Sequence, residues 1–308
     1  VPAASLTPAG PFSLAASIRF LEGFTPAAHD QDHDRVLRLA FPADDAHGVI
    51  GCALRQKEAA AGGPPAPVRA EFTVHPGPDA TPAGAARAQI ARIVSLDVDG
   101  SGFAAVGEHD PVVASLLAQY PGLRPVLFCS PYEAAAWAVI GHRVRMTQAA
   151  AVKARIARDH GRAVDVAGRR LHAFPTPEAL RRLRDVPGLT DVKVARLHAI
   201  AEAALDGELD AGALRALPAD EALRTLRRLP GIGPFSAELV LIRGAGHPDV
   251  FPVTESRLHR AMATEYGLDA AAAGDPAALA GIADGWRPFR SWVGLLLRAR
   301  AQERGPAR

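Results

Sequence analysis

The sequence predicts a mainly α-helical protein with an N-terminal α+β domain, and three observations carry that expectation. Up to about Val113, short runs with partial apolar alternation are divided by turn-rich stretches. From Asp110 onward the apolar spacing becomes helical, and capping residues mark the helix starts. The length, 308 residues, suits two domains with a sizeable core, here 1–113 and 114–308.

In chain order, Phe12 to Phe20, Val36 to Phe41, Val49 to Leu54 and Val68 to Val74 read as antiparallel strands, with turns at Pro42 to His47 and Ala59 to Pro67. Ala83 to Leu96 carries Ala, Arg and Ile at helical spacing and should pack on one face of the small sheet. Ser130-Pro131-Tyr132-Glu133 forms a capping box: Ser130 can accept the N–H of Glu133, whose own side chain can reach back. A helix should run from there toward Gly141. Thr176-Pro177-Glu178 repeats the cap-then-proline device, and Lys193 to Leu205 and Ala219 to Leu229 read as further helices. Few strand signals interrupt this half, which reads as about eight short helices without an internal repeat.

Composition excludes several classes. Hydrophobic residues at 48% and charged ones at 22% are ordinary globular usage, and the 28 Gly and 26 Pro are spread rather than periodic. Two cysteines, Cys52 and Cys129, cannot build a disulfide framework, a four-thiolate zinc site or a four-cysteine iron–sulfur cluster, so a reducing compartment is the default. No run of about 18 apolar residues is present, and Val1 to Gly10 lacks the basic and apolar parts of a signal peptide. The expected location is the cytoplasm, with no membrane partner.

The net charge of +2 conceals an uneven distribution. Residues 1–120 hold 8 basic against 13 acidic side chains, residues 141–200 hold 13 against 5, and residues 201–308 hold 13 against 14. A basic segment between two mildly acidic ones suits a negatively charged partner, or else a solvated helix face rich in arginine.

The motif nearest to chemistry is Leu229-Pro230-Gly231-Ile232-Gly233-Pro234-Phe235-Ser236-Ala237. Two glycines two apart allow a tight turn, and bare backbone N–H groups at the next helix start can approach a phosphate. An ordinary helical hairpin with a glycine cap is the alternative.

This stretch resembles the helix-hairpin-helix of the base-excision DNA glycosylase superfamily, and its surroundings resemble the 3-methyladenine DNA glycosylase II branch. Pro121-Gly122-Leu123-Arg124, Phe174-Pro175-Thr176-Pro177, Asp249-Val250-Phe251 and Trp286-Arg287-Pro288-Phe289-Arg290-Ser291 extend the match over roughly residues 110–300. The resemblance implies helical domains flanking a cleft, behind a small antiparallel sheet. It also implies a DNA glycosylase that hydrolyses the N-glycosidic bond of damaged, alkylated bases and leaves an abasic site.

In that family a carboxylate faces the sugar of the flipped nucleotide, and its place falls here on Glu255, where the family usually has aspartate. A fixed carboxylate there stabilises the positive charge that develops on the sugar and can orient the attacking water. Thr254 would cap the following helix and set Glu255 in its first turn, where the macrodipole favours the ionised form. Asp249 falls at a loop-structuring place. Bifunctional members carry a Schiff-base lysine where this chain has Phe235, which implies a monofunctional enzyme. The cysteine cluster of some relatives is missing, so no metal site or cofactor is expected beyond a monovalent cation that the carbonyls of the 229–234 hairpin could hold.

Phe235, Leu239, Arg298 and Trp137 are the expected base-pocket residues. Phe235 supplies an aromatic face, whereas an arginine at 298 would repel a cationic base and favour neutral lesions. Gly231, Ile232, Gly233 and Ser236 should meet the DNA backbone. Gly141-His142-Arg143-Val144-Arg145 matches the family's inserting loop, with His142 where glutamine is common, Arg143 as wedge and Arg145 as a phosphate contact. Lys153, Arg155 and Arg158 are further phosphate candidates, and Lys193 and Arg196, one helical turn apart, are either phosphate contacts or a solvated helix face. The expected partner is double-stranded DNA with a flipped damaged nucleotide, bound by a monomer. The competing reading is a catalytically weak or inactive helix-hairpin-helix DNA-binding protein, because Glu255 and the thinned aromatic pocket both depart from the pattern.

Overall fold

The structure is a computed structural model and describes residues 2–22, 34–58, 63–75, 81–184 and 186–305. Four antiparallel strands, β1 (Ala3–Leu6), β2 (Leu37–Pro42), β3 (Val49–Gln56) and β4 (Val68–His75), form a sheet in the order β1-β4-β3-β2. Its registers include Leu39 opposite Cys52 and Cys52 opposite Phe72. The last three strands fall where the alternation placed them, and β1 is an additional short edge strand.

Phe12 to Phe20 is not a strand: Leu14–Glu22 is a helix, α1. The alternation of Phe12, Leu14 and Ala16 coexists with a helical set, Leu14, Ser17 and Leu21, and it is this set that is deeply buried. Ser13 Oγ accepts the Ala16 N–H at 3.2 Å, so a serine cap decides between the two periods. Helix α2 (Ala83–Ile93) covers one face of the sheet, where Ile90 and Ile93 pack among Ile50, Cys52, Leu54 and Phe72.

Helices α3 (Phe103–His109), α4 (Pro111–Gln119), α5 (Pro131–Gly141) and α6 (Met146–His160) follow. Ser130 caps α5 as expected, accepting the Glu133 N–H at 3.1 Å. The Glu133 side chain does not reach back, however; it pairs with Lys153 of α6, and both groups are nearly buried. The expectation of few strands in this half is also corrected. Strands β5 (Ala163–Val166) and β6 (Arg169–His172) make a hairpin whose turn residues, Ala167 and Gly168, both have positive φ. Val164, Val166 and Ala173 pack against Val49 and Ala53 on the other face of the sheet. β3 is therefore covered on both sides, which explains why it reads as a continuous apolar run. A Cβ on Gly51 would lie 2.9 Å from Val166 Cγ2, so a side chain there would force the hairpin's Val166 to shift.

The chain continues through α7 (Pro177–Leu180), α8 (Asp191–Leu205), α9 (Ala211–Ala216), α10 (Ala219–Leu226) and α11 (Pro234–Leu239), the last running into a π-helical turn, Val240–Ala245. It closes with α12 (Ser256–Tyr266), α13 (Ala270–Gly274), α14 (Pro276–Asp284) and α15 (Arg290–Arg304). Twelve helices from α4 onward, rather than about eight, reflect one- and two-turn pieces such as α7, α9 and α13 among the described residues. Thr176 caps α7 through the Ala179 N–H. No described helix is long and apolar enough to cross a membrane.

Two helical cores result. One gathers α5, α6 and α8 to α11 around Trp137, Ile156, Leu197 and Leu241. The other joins Ala16 of α1 and Phe103, Val113 and Leu116 of α3 and α4 to Leu258, Met262, Trp286, Trp292 and Leu296 near the C-terminal end. Val113 itself lies inside this second core. Two buried arginines tie the early chain to it and to the cleft. Arg124 donates to the carbonyls of Pro11 (2.9 Å), Ser95 (3.0 Å), Val98 (3.1 Å) and Ala9, lies over the Trp292 ring, and is pushed down to about 10 by burial. Arg92 bridges Asp44 at 2.7 Å, the Cys129 carbonyl and the Gly244 carbonyl at the end of the π-turn.

Candidate active site

A cavity of about 460 Å³ opens in the cleft between the two helical cores. Glu238, Leu239, Ile242 and Arg243 reach it from α11 and the π-turn; Thr254 and Glu255 from the loop before α12; Leu295 and Arg298 from α15; and Phe20, Phe128 and Trp137 from the remaining side. A π-turn at such a place fits the general tendency of these irregularities to occur at functional sites. Its Arg243 carbonyl accepts the Phe128 N–H at 2.8 Å, and Gly246, with φ of +79°, turns the chain out of it.

The loop that delivers Glu255 is pinned along its length. Asp249 pairs with Arg290 at 2.7 Å and Arg287 at 3.2 Å, the loop-structuring part expected of it. Ser291 Oγ accepts the Val250 N–H and donates to the Val250 carbonyl, both at 3.0 Å. Glu238 Oε2 accepts the Thr254 N–H at 3.2 Å and the Thr254 hydroxyl. The expected helix start is corrected here. Thr254 does not cap α12, because its hydroxyl is drawn to Glu238; Glu255 itself occupies the cap position, its carbonyl accepting the His259 N–H at 3.1 Å. Glu255 thus stands at the positive end of α12, as the macrodipole argument requires.

Glu255 Oε1 accepts from Arg298 Nε at 2.7 Å, and both side chains remain about a quarter exposed, at 25% and 28%. The two departures noted in the sequence, glutamate for aspartate and arginine for an aromatic, are thereby in contact with each other. Beside them, burial pushes the Glu238 carboxyl above its ordinary range and the charge of Glu255 adds to the rise, against the pull of the Thr254 and Val253 hydrogen bonds. Burial also lowers Arg243 to about 10; its guanidinium lies 5.4 Å from the Phe20 ring centroid.

All four expected pocket residues line the cavity, in different ways. Trp137 is buried and tilted against Phe128, with ring centroids 6.5 Å apart. Leu239 and Arg298 form wall, whereas Phe235 is 53% exposed and stands at the mouth. Glu238, Ile242, Arg243 and Phe20 are lining residues that the sequence analysis did not single out. The i, i+3 relation of Glu238 to Phe235 was the one available signal for the first of these.

In the hairpin, Gly231 has φ of +89°, and a Cβ there would meet Arg196 Cδ at 2.7 Å. Ile232 is buried and its N–H goes to the Leu229 carbonyl, whereas Gly233 is exposed and Ser236 half-buried in the first turn of α11. Leu229 and Gly233 carbonyls already accept the N–H groups of Ile232 and Ala237, which leaves those of Pro230, Gly231 and Ile232 as groups that could hold a monovalent cation. Among the described residues, no three His, Cys, Asp or Glu side chains come together in a way that could hold a metal ion.

His142, Arg143 and Arg145 are exposed on the loop after α5, next to Met146 at the cavity mouth. Arg143 has φ of +53°, a left-handed backbone that a non-glycine residue rarely adopts. Lys193 sits behind this loop: its Nζ donates to the Ile140 carbonyl at 2.7 Å, closing the C-terminal end of α5. Lys153 is held by Glu133 and lies 5.8 Å from the Phe128 ring centroid, and Arg155 donates to the Pro187 carbonyl.

No family model matches the sequence. It is 32% identical over 214 residues to a probable bifunctional transcriptional activator/DNA repair enzyme AlkA of Mycobacterium tuberculosis, a match covering 68% of this chain and 41% of that protein. It is 26% identical over 165 residues to a DNA-3-methyladenine glycosylase of Bacillus subtilis, covering 52% and 54%. The chain thus spans about half the length of these curated relatives or less. In structure it is similar to a 3-methyladenine DNA-glycosylase from Archaeoglobus fulgidus, with TM-score 0.76 and 21% identity, covering 99% of this chain and 100% of that one. The chain carries the fold of the helix-hairpin-helix DNA glycosylases, and the likeness in sequence runs to their 3-methyladenine branch.

Proposed function

We propose that the protein is a monofunctional DNA glycosylase that hydrolyses the N-glycosidic bond of damaged, alkylated bases in base-excision repair and leaves an abasic site. The observation that carries this reading is the Glu255 carboxylate, held by Arg298 at a cavity of about 460 Å³ between the helical cores. The cavity falls within the ordinary size range of small-ligand sites, and its Trp137 and Phe128 rings suit a flat one.

With the base in the cavity and the sugar toward Glu255, the C1′–N bond breaks and its electron pair leaves with the base: a cationic alkylated base departs neutral, and a neutral base departs as an anion that then takes the proton removed from the added water. The carboxylate stabilises the cationic sugar and takes the proton of the water that adds to C1′. No amine stands where a Schiff base would form: Phe235 occupies that place, so strand cleavage is not part of the reaction. Arg298 opposes a cationic base and favours a neutral one. The substrate is duplex DNA with one flipped nucleotide, met by the backbone of Gly231, Ile232, Gly233 and Ser236, with Arg143 as wedge, and His142, Arg145 and Lys193 at or behind the same loop. The protein acts as a monomer in the cytoplasm.

The test is base release from duplex DNA treated with a methylating agent, with wild type and Glu255→Gln compared at equal DNA occupancy. Wild type should release bases and the variant should lose at least about 10²-fold in rate with binding kept. Binding by both proteins with release by neither, on alkylated and deaminated duplexes alike, would favour the non-catalytic DNA-binding reading.

A further inference from the structure

The cavity holds a second carboxylate. Glu238 is 4% exposed, on α11, yet contributes to the cavity wall. A buried acid normally needs a cationic partner, but Glu238 takes its hydrogen bonds from the Val253–Thr254 segment, and the Thr254 N–H and hydroxyl converge on one oxygen, Oε2. Thr254 is exposed and immediately precedes Glu255, so these bonds fasten the peptide that carries the reacting carboxylate rather than the helix that carries Glu238.

Glutamate has one more rotatable bond than aspartate and more rotamer freedom to lose before its carboxylate is fixed against a sugar. Glu255 is restrained from both ends: Arg298 Nε holds the carboxylate at 2.7 Å, and the Glu238–Thr254 bonds hold the backbone. Neither restraint is a packing contact of the hydrophobic cores.

We propose that Glu238 is a positioning residue of the active site, acting through Thr254 to fix the backbone of Glu255 so that its carboxylate meets the sugar in one place. The inference rests on the glycosylase reading. Glu238 touches neither sugar nor water; it sets the distance at which another group works. The burial that raises its carboxyl agrees with this, because a site placed for stability alone would use a neutral acceptor at lower cost.

The test is a double-mutant cycle on single-turnover base release, with affinity for an uncleavable duplex and melting temperature measured alongside. Thr254→Val and Glu238→Ala should each slow release about 10- to 10²-fold, the cost of a misplaced catalytic group, with duplex affinity unchanged. The double variant should be no slower than Glu238→Ala, because both changes remove one interaction. Thr254→Ser should recover most of the rate lost in Thr254→Val, and this exposed pair decides the question if Glu238→Ala fails to fold. Release by Thr254→Val at the wild-type rate, or losses that multiply in the double variant, would overturn the proposal. A wild-type protein that releases no base would instead overturn the glycosylase reading, and this inference with it.

Discussion

Both carboxylate oxygens of Asp249 are occupied by arginines, Oδ1 by Arg290 Nε at 2.7 Å and Oδ2 by Arg287 and Arg290 at 3.2 Å each. Glu255, further along the same loop, has one arginine on one oxygen and a cavity before it. The two acids share a chain segment and a charge, and they differ in the acceptor capacity left over. Asp249 is saturated, and its role ends with holding the loop to the start of α15. Glu255 keeps an oxygen able to face a ligand. For a carboxylate at the edge of a cleft, unsatisfied lone pairs are thus a better mark of chemistry than charge or burial alone.

The largest expected effect separates the two acids by readout. Asp249→Ala should cost on the order of 1–3 kcal/mol of stability, since it takes from the largely buried Arg290 guanidinium its 2.7 Å partner and leaves it only Asp284, at 3.4 Å, as a carboxylate partner. The folded fraction should still release base, whereas Glu255→Gln should melt near wild type. Denaturant unfolding paired with single-turnover release checks this, and an Asp249→Ala protein of wild-type stability would break the contrast.

Next in size, Arg298→Met should slow release about tenfold, because the freed Glu255 carboxylate wanders. The same change should shift the ratio of excision rates toward a cationic N-alkylated purine and away from a neutral deaminated base. An unchanged ratio would mean that Arg298 serves Glu255 alone.

The smallest effect concerns Glu238. Its raised carboxyl means that, above the ordinary carboxylate range and up to its own value, the native state keeps a proton that the unfolded chain has released. Its contribution to stability therefore falls as pH rises through that window. Glu238→Gln removes this contribution, and the variant should gain on the order of 1–2 °C in Tm over wild type at pH 8 and nothing at pH 4. An equal difference at both pH values would point to packing instead.

Features written in adjacent residues were legible in the sequence. Ser130 and Thr176 announce their helices and Gly231 its positive φ, because a cap or a turn needs only near neighbours, whereas Glu255, Leu239 and Arg298, which line the cavity, were indicated by the family resemblance alone. Features made by distant pairs were not. Glu238 draws Thr254 away from the cap it could have formed, Lys153 draws Glu133 out of its capping box, and Lys193 closes α5 from α8, five elements on. In the first two cases a local preference worth about 1 kcal/mol competed with a partner supplied only by the fold, and in the third the fold alone supplied the cap. The strand expected at Phe12 to Phe20 failed although its signal was local: the apolar residues there fit a helical face as well as alternation, and the Ser13 cap marks the helix.

The hairpin on the outer face of the sheet has a bearing on how the chain is made. Val49 and Ala53 are buried by Val164 and Val166, residues that leave the ribosome long after the four strands have been synthesised. Until then the central strand shows a greasy flank to water, beside a gap at Gly51 shaped for Val166. The nascent sheet meets its cover only once the hairpin is made, and a fragment ending at residue 113 lacks Val164 and Val166 and keeps Val49 and Ala53 bare.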